Sequence, residues 1–184
     1  VGADNASGEY IAFMDSDDTF TPGLISALAD KAVESGADLV LSDYRRKSEH
    51  RPGGTSYYNL EPLHLEDIQS DGKEMLDKLM RMHGLCPHYQ FFCGKFIRRD
   101  LWQNCLDDLK NFLPEANHYL AGEEAAATAT LFLHALKVRN IHNDCYICAA
   151  YKFHSAKYSD SVLLAEDINF TDNAFRYLEA LLKK

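Results

Sequence analysis

The sequence has few of the features that mark secreted, membrane-spanning or nucleic-acid-binding proteins. Its five cysteines are an odd, scattered set, so they predict no disulfide framework and favour a reducing compartment such as the cytoplasm. No apolar run approaches the ~20 residues of a membrane helix, and the first residues do not resemble a signal peptide. The 19 basic residues against 28 acidic ones give a net charge of −9, which argues against nucleic-acid binding through a basic field.

The chain also shows no internal repeat, low-complexity tract or domain boundary. With 184 residues and 46% hydrophobic content, it is large enough for one globular domain with a substantial core. The sequence does not begin with Met. We therefore expect one domain over residues 1–184 that forms a piece of a longer protein.

The most informative stretch that is present joins a short apolar run to three carboxylates. Residues 10–14 are typical of a buried strand, and Asp15, Asp17 and Asp18 follow where a strand would leave the sheet. We call residues 15–18 the acidic turn. In open α/β sheets, ligands bind at the carboxyl ends of strands. Carboxylates in an Asp-x-Asp arrangement suit Mg²⁺ or Mn²⁺ and the phosphates that such ions carry.

Helix and strand patterns alternate after the acidic turn. Pro22 lies where a helix can begin, with Thr21 as its predicted N-cap and Gly36 as its end. Five apolar residues of this helix recur at helical spacing, namely Leu24, Ile25, Leu28, Ala32 and Val33. Residues 38–43 predict a second buried strand, which completes a βαβ unit in a partly parallel sheet. Residues 45–66 predict a polar excursion with a short strand at 55–58.

The rest of the chain predicts four helices and three further strands. The helices cover residues 71–82, 99–105, 122–136 and 168–182, and the strands cover residues 91–97, 137–141 and 146–150. Cys145 and Cys148 have C-x-x-C spacing but lie in the last strand without a second pair. A packed strand is therefore favoured over a zinc or redox site. Similarly, a satisfied or surface histidine is favoured for His142, and packing is favoured over sugar stacking for Trp102.

Several short motifs occur in an order that matches a known family. The first is Ala6, Gly8-Glu9-Tyr10-Ile11, Phe13-Met14-Asp15-Ser16-Asp17-Asp18, Pro22 and Leu24. The others are Gly94-Lys95-Phe96-Ile97-Arg98-Arg99, Gly122-Glu123-Glu124 and Ala135-Leu136-Lys137-Val138. Over nearly the whole chain, this series resembles family 2 glycosyltransferases of the GT-A fold.

The resemblance implies a GT-A-like mixed sheet flanked by helices, truncated at its N-terminus. In family members, roughly 80 to 100 residues would precede Val1 and hold the first βαβ elements, about half a domain on the usual scale. That missing part would include the acidic strand end that grips the nucleotide base. The chain would therefore be a partial catalytic domain whose sheet has an uncovered edge.

The resemblance also implies inverting transfer of a sugar from a nucleotide-diphosphate donor, UDP-type in the first place, to an acceptor hydroxyl. Mg²⁺ or Mn²⁺ would neutralise the diphosphate leaving group. Asp17 is the predicted metal ligand, Asp15 would bind the metal, its water or the donor's ribose, and Asp18 would support them. The acceptor would be a saccharide or a lipid-linked saccharide in bacterial polysaccharide or glycoconjugate synthesis, at the inner face of the membrane.

Glu124 and Lys152 complete the implied site. The family places its general base on the Asp of a Glu-Asp motif, and Glu124 occupies that position here. A Glu carboxylate lies one methylene further out, which puts the usual geometry in doubt. Glu123 and Glu124 also fit plain helix N-terminal acids favoured by the macrodipole. Lys152 would lie near the diphosphate. Lys95 would either offset phosphate charge or, as favoured, lie on a solvated face together with Arg98 and Arg99.

Other functions stay open. Asp15 to Thr19 also fits the D-x-D-x-T motif of haloacid-dehalogenase-like phosphatases, with Asp15 as nucleophile and Asp17 as acid/base. Against this, Asp18 replaces the usual Gly, and no later Gly-Asp-x-x-x-Asp motif follows. A transferase-like module that only binds also fits the Glu124 substitution. An EF-hand is disfavoured, because Phe20 and Ser26 stand where Gly and Glu are needed.

Overall fold

A mixed sheet of six strands organises the protein in a computed structural model that describes residues 2–16, 18–50, 54–59, 68–81, 91–112 and 123–149. The strands are β1 Tyr10–Ala12, β2 Thr19–Phe20, β3 Leu39–His50, β4 Gly54–Asn59, β5 Lys95–Arg98 and β6 Val138–Ala149. The helices are α1 Leu24–Ser35, α2 Gly72–Arg81, α3 Arg99–Phe112 and α4 Glu123–His134. The helix predicted at residues 168–182 lies outside the described residues.

The strand order is β1-β5-β3-β6-β2, and β4 pairs with β3 as a hairpin. Strands β3 and β6 are parallel, and the other pairs are antiparallel. The predicted βαβ unit is present as β1, α1 and β3, but β5 lies between its two strands and pairs with both. The sheet is therefore partly parallel, as predicted, although the parallel neighbours are β3 and β6.

Apolar clusters cover both faces of the sheet, because successive residues of β3 point to opposite sides. Leu39 and Leu41 belong to a cluster with α2, α3 and α4, whereas Val40 and Tyr44 belong to one with α1. Helix α1 packs through Leu24, Leu28 and Ala32, which are all buried. Two members of the apolar set predicted for this helix point elsewhere: Ile25 is 42% exposed and Val33 is 82% exposed.

The start of α1 differs from the prediction. The helix begins at Leu24 after Gly23, and no side chain caps it. The hydroxyl of Thr21 instead donates to Asp144 Oδ1 at 2.9 Å and accepts the N–H of Cys145 at 3.0 Å, which ties this residue to β6. The prediction of Thr21 as N-cap is therefore wrong. The end of α1 is as predicted, since Gly36 has a φ of 62°, a conformation that glycine adopts without steric cost.

Four other elements differ in length from the prediction. Strand β3 continues to His50 rather than ending at residue 43, because its second half pairs with β4 and β6. The two last strands are one strand, β6, whose register against β3 shifts around Ser42 and which contains Asn143 at a φ of 74°. The predicted break marks this bulge rather than a loop. Helix α3 extends to Phe112 because buried Leu101, Cys105 and Leu109 continue its apolar face. Strand β5 begins at Lys95 rather than at residue 91, after Gly94 at a φ of 67°.

Candidate active site

The acidic turn lies directly after β1, where the sequence predicts it. The N–H of Asp18 donates to the carbonyl of Asp15 at 3.2 Å and closes the turn. The side chain of Asp15 is exposed and that of Asp18 is half-buried, whereas Asp17 lies outside the described residues. The turn therefore presents carboxylates to solvent at the carboxyl end of a strand, which is the usual position of a ligand site in α/β proteins.

Tyr146 of β6 supports the acidic turn from beneath. Its phenol oxygen accepts the N–H of Asp15 at 3.0 Å, and its side chain also hydrogen-bonds that of Asp18. The residue is only 2% exposed. Burial first, and then hydrogen bonding to Cys93 and Asp18, raise the pKa of the Tyr146 phenol. Its hydroxyl is therefore protonated at neutral pH and has one proton to donate, toward Cys93 or toward the Asp18 carboxylate.

The sequence gives no signal for this role of Tyr146. The residue stands 131 positions after Asp15 and lies in an apolar strand that resembles any packed core strand. It reaches the turn because it pairs with Phe20 of β2 on one side and with Tyr44 of β3 on the other. Only the strand order brings it beneath the carboxylates.

The donor groups of the acidic turn fit a hard divalent cation. Carboxylate oxygens and water are the usual ligands of Mg²⁺ and Mn²⁺, and two exposed or half-exposed carboxylates flank the position of Asp17. Within the described residues, no three His, Cys, Asp or Glu side chains form a metal cluster. Asp15 and Asp18 bring two carboxylates to the turn, and the roles of Asp15, Asp17 and Asp18 at a cation stay predictions.

Glu124 lies in the first turn of α4, which begins at Glu123, so this motif opens a helix as the resemblance implies. Its side chain and all of Lys152 lie outside the described part of the chain. The helix behind Glu124 is firmly packed, since Leu131 and Phe132 are fully buried. The structure therefore fixes the helix that carries Glu124, and the base role stays a prediction.

Lys95 does not lie on a solvated face, and that prediction is wrong. It is 1% exposed and lies in β5, which pairs with β1 on one side and with β3 on the other. Its ammonium donates to the carbonyl of Phe91, and it lies 3.4 Å from the Tyr44 hydroxyl and 5.8 Å from the centre of that ring. Arg98 pairs with Asp38 at 2.5 Å and with Asp100 at 2.6 Å, so two carboxylates of the fold already neutralise its charge.

The remaining candidates behave as the favoured predictions state. Cys145 is buried within β6, which confirms a packed strand there. His142 is partnered, with Nε2 3.0 Å from the amide of Asn140 and Nδ1 3.8 Å from Asp43. Trp102 packs against Phe13 and Phe92 and is 8% exposed, so it is not available to a sugar ring. No helix in the described ranges has the length and apolarity to span a membrane.

Known proteins resemble this chain both in sequence and in fold. A curated glycosyltransferase of Mycoplasma pneumoniae, itself uncharacterized, is 26% identical over 137 residues, which are 74% of this chain and 38% of the relative. A crystal structure of S. aureus TarS with UDP-GlcNAc aligns at a TM-score of 0.58 and 15% identity, over 98% of this chain and 49% of that one. The TarS structure with UDP gives the same score over 97% and 42%.

The chain thus spans less than half the length of these relatives. The structural likeness confirms the predicted GT-A-type mixed α/β fold. The family model described as "Glycosyl transferase family 2" matches residues 1–101, which include the acidic turn and most of the sheet. Because this match covers more than half of the chain, the protein belongs to glycosyl transferase family 2.

Proposed function

We propose that this chain is part of an inverting glycosyltransferase that moves a sugar from a nucleotide-diphosphate donor to an acceptor hydroxyl. The observation that carries the proposal is the acidic turn, held at the carboxyl end of β1 in a chain of this family. The donor class is supported by TarS, whose structures contain UDP-GlcNAc and UDP. A UDP-type donor is therefore the first choice here.

In this proposal the acidic turn binds the diphosphate end of the donor through a divalent cation. Asp17 and Asp15 hold Mg²⁺ or Mn²⁺, and Asp18 supports them or supplies a further ligand. When bound, the cation acts as a Lewis acid on the diphosphate leaving group. Asp15 also lies at the exposed start of the turn, where its carboxylate can orient the donor's ribose.

Proton transfer is assigned to Glu124. An inverting reaction needs a base that takes the proton of the acceptor hydroxyl as its oxygen attacks the sugar from the face opposite the diphosphate. Glu124 stands in the first turn of α4, whose buried residues fix its backbone. Lys152 offsets charge on the departing diphosphate in the same proposal.

The acceptor is proposed to be a saccharide, free or lipid-linked, in polysaccharide or glycoconjugate synthesis. The reaction would run in the bacterial cytoplasm at the inner face of the membrane. Residues 1–184 would form one partial catalytic domain. These assignments follow from the family resemblance and the donor chemistry.

The decisive experiment measures UDP binding by calorimetry on the full-length protein, with and without Mn²⁺. We expect Mn²⁺-dependent binding that Asp17→Ala weakens by about 100-fold, since a lost ligand removes both charge and coordination. Asp30→Ala is the matched control, because Asp30 is an exposed acid of α1 outside the turn. It should bind UDP as the wild type does.

Three results would overturn parts of the proposal. UDP binding that ignores Mn²⁺, or that survives Asp17→Ala, would remove the metal role of the acidic turn. Phosphate release from a generic phosphomonoester would favour the phosphatase alternative. Metal-dependent UDP binding without sugar transfer to any saccharide or lipid-linked acceptor would favour the binding module.

A further inference from the structure

The acidic turn is anchored to one short segment of β6 at both of its ends. At its start, the N–H of Asp15 donates to Tyr146 Oη at 3.0 Å. Beyond its end, Thr21 donates its N–H to the carbonyl of Cys145 at 3.1 Å and its hydroxyl to Asp144 Oδ1 at 2.9 Å. Residues 144–146 thus fix the turn to β6.

The two anchors differ in what they touch. Among the described residues, the hydroxyl of Thr21 bonds Asp144 and Cys145 of β6. Thr21 itself lies beyond the acidic turn in the sequence. The phenol of Tyr146 contacts one residue on each side of Asp17: its oxygen accepts the N–H of Asp15, two positions before, and its side chain hydrogen-bonds that of Asp18, the next residue. A group that bonds to both Asp15 and Asp18 sets the distance between these two residues and the direction of the Asp18 carboxylate.

The Tyr146 ring is itself held rigidly. It is 2% exposed, pairs in the sheet with Phe20 and Tyr44, and packs against the Tyr44 ring at 5.9 Å between centroids. Its hydroxyl therefore projects from a fixed point. A rigid partner that orients metal-binding carboxylates commonly changes metal affinity by 10–100-fold when it is removed.

We propose that Tyr146 is a positioning residue that shapes the acidic turn for a divalent cation through its two hydrogen bonds. This inference rests on the proposed function, because it assumes that the turn binds the cation. Tyr146 does not touch the donor. It acts through Asp15 and Asp18, whose spacing it sets.

The test titrates Mn²⁺ alone into full-length wild type, Tyr146→Phe and Thr21→Val, with binding measured by calorimetry. Tyr146→Phe removes one oxygen and should weaken Mn²⁺ binding at least 10-fold. In transfer assays, its KM for the donor should rise at limiting Mn²⁺, and excess Mn²⁺ should restore the rate. Thr21→Val removes a hydroxyl from the other anchor and should lower the melting temperature while changing Mn²⁺ affinity less than 3-fold.

A conservative rescue keeps the test decisive if Tyr146→Phe folds poorly. Replacement of Tyr146 by 4-aminophenylalanine retains a donor at the same ring position but is a poor acceptor for the N–H of Asp15, so it should recover only part of the Mn²⁺ affinity. Unchanged Mn²⁺ affinity in Tyr146→Phe, or equal losses in Tyr146→Phe and Thr21→Val, would overturn the inference alone, provided that Asp17→Ala still loses binding. If the wild type binds neither Mn²⁺ nor UDP, the proposed function and the inference about Tyr146 are both wrong.

Discussion

Carboxylates lie at opposite ends of the sheet, Asp38 before β3 and the acidic turn after β1, and the two ends use them in opposite ways. Asp38 is 4% exposed and accepts the N–H groups of Leu136 at 2.6 Å and Lys137 at 2.8 Å. It also pairs with Arg98 at 2.5 Å. At the other end, Asp15 is exposed, and the contact with Tyr146 holds its backbone rather than its carboxylate.

The difference separates a carboxylate that is part of the scaffold from an exposed one that the proposed function assigns to a ligand. The fold itself satisfies Asp38, so its charge stabilises the junction of α4, β3, β5 and β6. In the acidic turn, Tyr146 holds the backbone N–H of Asp15, and Asp15 is exposed. Carboxylates brought together in this way repel one another, and a cation relieves that repulsion.

The largest expected effect is the loss of stability in Asp38→Ala. This change leaves two backbone N–H groups without their acceptor and removes the partner of Arg98, so we expect a cost of about 3 kcal/mol in the free energy of unfolding. Urea denaturation measures it. A cost below about 1 kcal/mol would show that water replaces the carboxylate, and the contrast between Asp38 and the acidic turn would then fail.

The opposite pattern is expected for Asp15→Asn. This isosteric change keeps the backbone contact with Tyr146, so the free energy of unfolding should stay within about 0.5 kcal/mol of the wild type. Sugar transfer and Mn²⁺-dependent UDP binding in the full-length protein should fall by about 10- to 100-fold. A large loss of stability with full activity would place Asp15 among the scaffold carboxylates instead.

The smallest expected effects concern how the stability contributed by single carboxylates depends on pH. Burial raises the pKa of Asp43, which lies in β3 near His142, above the ordinary 3.8. A raised carboxyl pKa means that ionisation opposes folding, so this contribution to stability is present below pH 3.8 and is lost as pH rises through the folded pKa. Asp43→Asn should therefore raise the melting temperature at pH 7, by less than about 2 °C, with no gain at pH 3.

Asp100 has a lowered rather than a raised pKa, so its effect on stability should change with pH in the opposite direction, and it serves as the control for Asp43→Asn. Its hydrogen bond with Arg98 lowers the pKa of its carboxyl, so its contribution is present above pH 3.8 and is lost as pH falls through the folded pKa. Asp100 is 63% exposed, and solvent screening keeps the loss in Asp100→Asn below about 1 kcal/mol at pH 7. Equal pH profiles for the two variants would contradict both assignments.

Prediction from the sequence succeeded where the signal is local. Local spacing and turn residues predict the strand at β1, the end of α1 at Gly36, the hairpin strand β4 and helix α2. Prediction failed at Thr21, whose cap role was replaced by a bond to Asp144, and at Lys95, which is buried rather than solvated. In both cases the competing partner is distant along the chain.

The sequence by itself determined the family, the fold class and the place of the acidic turn, because these depend on short motifs and on periodicity within single elements. Only the tertiary structure decided what supports that turn. Tyr146, Asp144 and the burial of Lys95 depend on β6 pairing with both β2 and β3, and on β5 entering between β1 and β3. Strand order is set by the packing of the whole core, which no local pattern encodes.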